Sequence, residues 1–234
     1  MKRIKYAVWG WFVMMLALTA CNEDESPSID SGKATTHKVA IVMPASEQDR
    51  WERIVSWALE NMDAAQQGLP EKVKLEIEWQ DEEAPEWEAF VKRVAEDDDY
   101  VAVIGPQSSV NARKAAQICG SNKQKTLILP IATSTEFQRI YAGSNYVWNL
   151  SQSDITQCEL LLTQAKLSGR RNVSLLTSDD DYGRSFSDWF AFQAIELGME
   201  VEDMVVYRSE SEIHEMVRKQ YDKKRKYNHA LIFA

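Results

Sequence analysis

Apolar residues from position 38 onward alternate between short continuous runs and helical stripes. Residues 39–43 form an unbroken apolar run, typical of a strand buried on both faces, and residues 50–67 carry apolar side chains at helical spacing. Residues 73–80 alternate apolar with polar side chains, which predicts a strand with one solvated face. Further strands are predicted at 101–104, 126–129, 173–176, 201–207 and 230–233, and helices at 87–96, 111–118, 154–167, 185–197 and 212–221. This alternation predicts an α/β protein with parallel sheets covered by helices.

Hydroxyl and carboxyl side chains follow several predicted strands. Ser108 and Ser109 open a helix after one strand, where hydroxyls and free N–H groups either hold an anion such as a carboxylate or merely cap the helix. Thr133 follows the next strand, and Asp154 begins a helix, where a carboxylate is ordinarily a cap. Because ligands of parallel sheets bind beyond the carboxyl ends of the strands, these residues are candidates for a binding site.

The sequence gives little support for a metal site or for redox chemistry. Residues 179–181 are three consecutive Asp, but they lack the alternating oxygen ligands and the closing Glu of a calcium loop. The three His are scattered, so we expect no metal site and no cofactor. Cys119 and Cys158 either pair in an oxidising compartment or remain two buried thiols.

The N-terminal segment has the organisation of an export signal. Lys2, Arg3 and Lys5 precede an apolar run at 7–18, which is shorter than the roughly 20 residues that a spanning helix needs. Leu18-Thr19-Ala20-Cys21 then resembles the lipobox of bacterial lipoproteins. The resemblance implies cleavage after Ala20 and a lipid on Cys21; the alternative is a plain secretory signal or an N-terminal anchor.

Residues 21–37 are polar and contain Ser, Pro and Gly, so we interpret them as a flexible tether to the membrane. The acidic stretch at 22–25 either resembles the surface-export signal of some Bacteroidetes lipoproteins or is a solvated spacer. Periplasmic and cell-surface locations in the envelope therefore both stay open.

The charge balance excludes one class of partner. The chain carries a net charge of −9, and loss of the three basic residues of the signal leaves 24 basic against 36 acidic side chains, a net charge of −12. Affinity for nucleic acid depends on neutralising phosphates, so a nucleic-acid partner is not expected.

The motifs between residues 38 and 234, taken in order, resemble the type I periplasmic binding proteins. The likeness is strongest to the branched-chain amino-acid-binding branch and to the ligand-binding regions of receptors. It is carried by Met43-Pro44, Asp81, Ile104-Gly105-Pro106-Gln107-Ser108-Ser109, Pro130-Ile131-Ala132-Thr133-Ser134, Ser153-Asp154 with Gln157, and Asp180-Asp181-Tyr182-Gly183. The resemblance implies two Rossmann-like lobes around a hinged cleft: a first lobe at 38–150, with strand order 2-1-3-4, and the start of a second at 151–234.

The family also implies roles for individual residues. Ser109, Ala132 and Thr133 would hold the α-carboxylate of an amino acid, and Ser108 belongs to the same loop. Asp154 would meet the α-amino group, and Tyr182 would close over the ligand from the second lobe.

Two departures from the family stand out. The first loop, residues 44–51, lacks the usual Ser-Gly turn and is charged and aromatic; its Trp51 either lines the cleft or belongs to the helix core. The sequence also ends at Phe233-Ala234, where the family continues, so we expect an incomplete second lobe and a truncated product or fragment.

Three functions compete. The first is a lipid-anchored solute-binding protein that delivers an amino acid or similar small polar ligand to an ABC-type importer. The second is a regulatory or sensory lipoprotein of the same fold that binds a protein partner such as a cell-wall synthase; a cleft filled by side chains would favour it. The third, an enzyme, is weakest because no nucleophile–base pair or metal set is visible in the sequence.

Overall fold

The computed structural model describes residues 34–121, 124–222 and 228–234. The first part contains β1 (Thr35–Met43), a 3-10 turn (Ala45–Glu47), α1 (Gln48–Ala65), β2 (Val73–Asp81), α2 (Trp87–Glu96), β3 (Tyr100–Ile104), α3 (Ser109–Ser121), β4 (Thr126–Leu129), α4 (Thr135–Tyr141) and β5 (Val147–Asn149). The second contains α5 (Asp154–Leu167), β6 (Asn172–Ser178), α6 (Asp181–Glu196), β7 (Glu200–Tyr207), α7 (Glu210–Asp222) and β8 (His229–Phe233).

The first five strands form one parallel sheet in the order β2-β1-β3-β4-β5. The predicted order 2-1-3-4 is confirmed, and β5 extends it at the β4 edge. The continuous apolar run of β1 is explained by its central position, because residues 39–43 are all buried between two layers of helices. The carboxyl ends of β1, β3 and β4 therefore lie side by side.

Helices cover both faces of this sheet. On one face, α2 and α3 pack Val91, Val94 and Ala116 against Val42 and Leu127. Each large apolar side chain buried in this way contributes roughly 1.5–3 kcal/mol. On the other face, α1 lies over β1 and β2.

Trp51 belongs to the core on the α1 side. It is partly buried and, with Val55 of the same helix, packs against the cluster formed by Val39, Ile41 and Met43. Of the two roles considered for Trp51, the structure therefore shows the packing role.

The remaining three strands form a second parallel sheet in the order β7-β6-β8. Its central strand β6 is buried over residues 172–177, as expected for a strand with neighbours on both sides. Cys158 and Leu162 of α5 and Phe186 and Phe190 of α6 pack with Val173 against one face of this sheet. The predicted α/β class with two parallel sheets is confirmed.

Both cysteines in the described part are free and buried. Burial raises the pKa of the Cys119 and Cys158 thiols to about 12, so both stay protonated at neutral pH. The structure thus shows buried thiols in place of a disulfide.

Two predictions concerning the N-terminus lie outside the described residues: the signal segment at 1–20, and Cys21 with most of its tether. Within residues 34–121, 124–222 and 228–234, no helix is both long and apolar enough to cross a bilayer.

Candidate functional site

The loops that follow β3 and β4 are held together at the carboxyl edge of the first sheet. The Gly105 N–H donates to the Ile128 carbonyl at 2.8 Å, which ties the loop after β3 to the neighbouring strand. Gly105 has φ +91°, and a Cβ there would collide with the carbonyl oxygen of Val42 in β1. Glycine is therefore required for this loop to turn so close to the adjacent strand.

Ser108 and Ser109 lie at the start of α3. The Ser108 hydroxyl accepts the Asn111 N–H at 3.2 Å, so Ser108 caps the helix. Ser109 is buried, with 7% of its surface exposed. The N–H groups expected to be free are in part occupied, because those of Gln107 and Ser108 donate to Glu82.

The loop after β4 leads to α4 and contacts the start of α5. The Ala132 carbonyl accepts the side-chain amide of Asn149 at 3.0 Å, and Ala132 is buried. The Thr133 carbonyl accepts the backbone N–H of Asp154 at 3.2 Å. These contacts place Thr133 directly beside the first turn of α5.

Asp154 is the most unusual residue of this region. Asp154 is fully buried, with 0% of its surface exposed, and neither of its carboxylate oxygens makes a hydrogen bond of normal geometry. Burial raises the pKa of Asp154, and the nearby hydroxyls of Thr133 and Ser185 only partly oppose this. Asp154 is thus a desolvated carboxylate with neighbours but no bonded donor, and its side chain does not act as a helix cap.

Tyr182 lies near Asp154, in the first turn of α6. Its ring is partly buried and contacts Phe186 at a centroid distance of 5.9 Å. Burial, reinforced by the negative charge of Asp154, raises the pKa of Tyr182 to about 12. Tyr182 is therefore a neutral hydroxyl that experiences the field of the buried carboxylate.

Contacts between α4 and α6 lie beside this carboxylate. The Thr135 N–H donates to the Ser185 hydroxyl at 3.2 Å, and the two hydroxyls lie 2.9 Å apart. The indole N–H of Trp189 donates to the Thr135 hydroxyl at 3.0 Å. Helices α4 and α6 are thereby joined by direct hydrogen bonds.

Arg113 adds an ionic connection between the same elements. From α3 its guanidinium pairs with Glu136 of α4 and, at 3.2 Å, with Asp181 of α6. No pattern in the sequence pointed to Arg113, Ser185 or Trp189, because each lies far along the chain from its partner. Only the hydroxyl cluster around Thr133 indicated that this loop was of interest.

The structure brings three of the six predicted residues together through a backbone hydrogen bond and shared electrostatics, namely Thr133, Asp154 and Tyr182. Ala132 lies in the same loop as Thr133, and Ser109 follows the neighbouring strand. Ser108 is used as a cap. Two surface grooves of the described chain, one along β5 and one beside α6, are lined by none of the six. The region is a closed contact between two lobes with a desolvated acid inside it.

Similar solved structures have the same architecture. A substrate-binding protein of an ABC transporter from Desulfitobacterium hafniense, in complex with Leu, has a TM-score of 0.68 at 20% identity; 85% of this chain and 58% of that chain are covered. An ABC-transporter solute-binding protein from Rhodopseudomonas palustris BisB5, in complex with 3,4-dihydroxybenzoic acid, gives a TM-score of 0.70 at 16% identity, covering 85% and 54%. A second solute-binding protein from R. palustris, in complex with 4-hydroxybenzoate, has a TM-score of 0.65 at 17% identity; 80% of this chain and 51% of that chain are covered.

The chain therefore spans about half the length of these structures, and at such identities the likeness shows the fold. No curated protein matches the sequence significantly. Residues 52–234 match the family model of the receptor family ligand binding region, which covers well over half of the sequence. The chain belongs to this receptor ligand-binding-region family, which has the type I periplasmic-binding-protein fold.

Proposed function

We propose that this protein is an extracytoplasmic solute-binding protein for a small polar ligand, such as an amino acid. The observation that carries the proposal is the Asp154 carboxylate, which is fully buried and makes no hydrogen bond of normal geometry, although the Thr133 and Ser185 hydroxyls lie near it. A buried carboxylate in this state is costly, since desolvation without a partner costs several kcal/mol for a charged group. A ligand ammonium group would supply the missing donor.

The neighbouring residues suit the rest of such a ligand. Ser109 and Thr133, with the backbone of Ala132, lie at adjacent strand ends and would face its polar or carboxylate end. Tyr182 would cover it from the second lobe. We infer binding and no catalysis, because the family is a ligand-binding region and the proposed residues include no nucleophile–base pair.

We further propose that Cys21 carries a lipid anchor and that the bound solute passes to an ABC-type importer in the membrane. The lipobox-like segment before Cys21 supports the anchor. The similar structures are described as substrate-binding or solute-binding proteins of ABC transporters, which supports the importer as a partner. The location would be the cell envelope.

The test is isothermal titration of the protein against a panel of amino acids and related amines. We expect saturable binding of at least one member in a one-to-one ratio. If no member binds at millimolar concentration, a solute-binding role for this panel's class of ligands is wrong.

A second candidate is a regulatory lipoprotein of the same fold that binds a protein partner. It is favoured by the contacts of Thr135 with Ser185 and Trp189, which join the two lobes directly through side chains. In a solute-binding protein of this fold, the lobes have to separate to admit a ligand. That separation would break these bonds. Titration against the same amino-acid panel discriminates the two functions. A protein that binds no solute but binds a cell-wall synthase has the regulatory function.

A further inference from the structure

Glu82 is a buried acid that has no role in the proposed solute-binding function. It follows β2 and is 4% exposed. One of its carboxylate oxygens accepts the Gln107 N–H at 2.6 Å and the other accepts the Ser108 N–H at 3.3 Å. Its own carbonyl accepts the side-chain amide of Asn111 at 3.2 Å, which fixes its backbone to α3. Both oxygens therefore lie on two consecutive N–H groups that precede the helix.

Two consecutive backbone N–H groups just before a helix form a suitable site for a carboxylate, since both can donate to it and the helix dipole favours negative charge there. In this protein a side chain from the neighbouring loop occupies that position. A ligand carboxylate would have to displace a buried group or lie beside a like charge in a medium of low dielectric constant.

The charges of the candidate site and of the loop that holds Glu82 point in the same direction. Asp154, at the start of α5, is a second buried acid, and its carboxylate oxygens make no hydrogen bond of normal geometry. Arg113 of α3 is already paired with Glu136 and Asp181. Asp81 and Glu83 flank Glu82 and add further negative charge. A cation lowers the energy of this arrangement, whereas an added anion raises it.

We propose that Glu82 is a specificity-determining residue: it fills the N–H pair of Gln107 and Ser108 as an internal anion, excludes ligand carboxylates, and so selects amines whose acid group is absent or amidated. The proposal rests on the solute-binding function and narrows its ligand class from amino acids to their amides and related amines.

The first experiment tests whether the N–H pair is an anion site, and it needs no ligand of the cleft. Glu82→Ala should melt at a lower temperature than the wild type. Roughly 100 mM sodium acetate should then raise its melting temperature by about 2 °C more than sodium chloride of equal ionic strength, by mass action on the folded state. The wild type should show no such difference.

Glu83→Ala is the matched control, because Glu83 is exposed and its removal deletes the same charge one residue away. It should respond to acetate like the wild type. An equal acetate response in Glu83→Ala and Glu82→Ala, or none in Glu82→Ala, would overturn the proposal.

The second experiment measures selectivity. Leucine, serine and phenylalanine are each titrated beside their amides, so that each pair differs only in the carboxylate. The wild type should bind at least one amide about tenfold or more tightly than the acid, and Glu82→Ala should lose or invert that preference. Should Glu82→Ala not fold, Glu82→Gln serves instead, since Gln has an acceptor oxygen in place of only one of the two carboxylate oxygens and carries no charge.

The two proposals fail differently. Wild-type binding of the free acids with equal or higher affinity overturns the role of Glu82 and leaves the solute-binding function standing. Failure of all six compounds to bind, with an acetate response confined to Glu82→Ala, counts against amino-acid-like ligands while the anion site of Glu82 stands.

Discussion

At the scale of single residues, the protein must tolerate the buried carboxylate of Asp154. The carboxylate is desolvated and lacks a donor, so in the absence of a ligand its charge is a net cost to the folded state. The packing of the apolar cluster that contains Cys158 and Phe186 must offset this cost. Such a cost is retained in a binding site when a ligand relieves it.

Asp154→Asn should therefore stabilise the ligand-free protein at pH 7, by about 1–3 kcal/mol, because it removes an unpaired charge. Burial raises the folded-state pKa above the ordinary value of 3.8, so the folded state binds this proton more tightly than the unfolded chain. Stability consequently falls as the pH rises from 3.8 through the raised pKa, and the advantage of Asn shrinks again toward acid pH. Thermal melts between pH 4 and 7 measure this. Asp188→Asn, at an exposed position of α6, is the control and should change little.

Tyr182 contributes through contact and not through charge, since its pKa of about 12 keeps it neutral. Tyr182→Ala should weaken ligand binding by about 1–3 kcal/mol, the usual cost of removing one packed aromatic contact. Titration of the variant checks this, and Tyr182→Phe separates the ring from the hydroxyl. Full affinity in the Ala variant would place Tyr182 outside the site.

At the scale of elements, the start of α6 shows how the sequence positions the site. The Asp180 carboxylate accepts the Gly183 N–H at 2.8 Å and the Ser178 hydroxyl at 2.8 Å, so it caps the helix. Gly183 is needed because a Cβ there would collide with the Ser178 carbonyl. Together these residues begin α6 early enough for Tyr182 and Ser185 to face Asp154.

Asp180→Ala should lower the free energy of unfolding by about 1 kcal/mol through loss of this cap. Asp179→Ala is the matched variant: its carboxylate pairs with exposed Arg208 and should matter little. Urea unfolding of both variants makes the comparison. Equal effects from the two substitutions would contradict the capping role of Asp180.

The elements that sequence patterns predicted were those with enough length to show a period. All strands of five or more residues, and the helices α1, α2 and α5, were predicted within a few residues of their observed bounds. The seven-residue α4 and the three-residue β5 were missed because neither spans two full turns or several alternations. The start of α6 was set four residues late because the run of Asp was interpreted as loop, although one of its members is the cap.

The site was predictable only in part for a related reason. Ser109, Ala132, Thr133, Asp154 and Tyr182 were proposed as site residues because they follow strands or match ordered motifs. The bonds of Thr135 with Ser185, and of Glu82 with the loop at 107–108, join residues far apart in sequence. No local pattern encodes such pairs.

At the scale of the whole molecule, the chain combines a ligand-binding region with an N-terminal segment for which we propose a lipid anchor. Cys21→Ala should abolish incorporation of labelled palmitate and release the protein into the soluble fraction, because several acyl chains anchor a protein stably and none remain in the variant. Ser31→Ala, in the tether, is a control that should leave labelling intact. Absence of label on the wild-type protein in a bacterial host would refute the lipid anchor.

The most direct test of the central claim is the affinity of Asp154→Ala beside its melting temperature. Removing a charged partner that is desolvated on ligand binding should weaken binding by on the order of 2–4 kcal/mol, or roughly 30- to 1,000-fold. The melting temperature without ligand should not fall in proportion, because Asp154 makes no side-chain hydrogen bond that the substitution could break. Unchanged affinity together with a lowered melting temperature would show that Asp154 serves the fold alone, and would contradict the account.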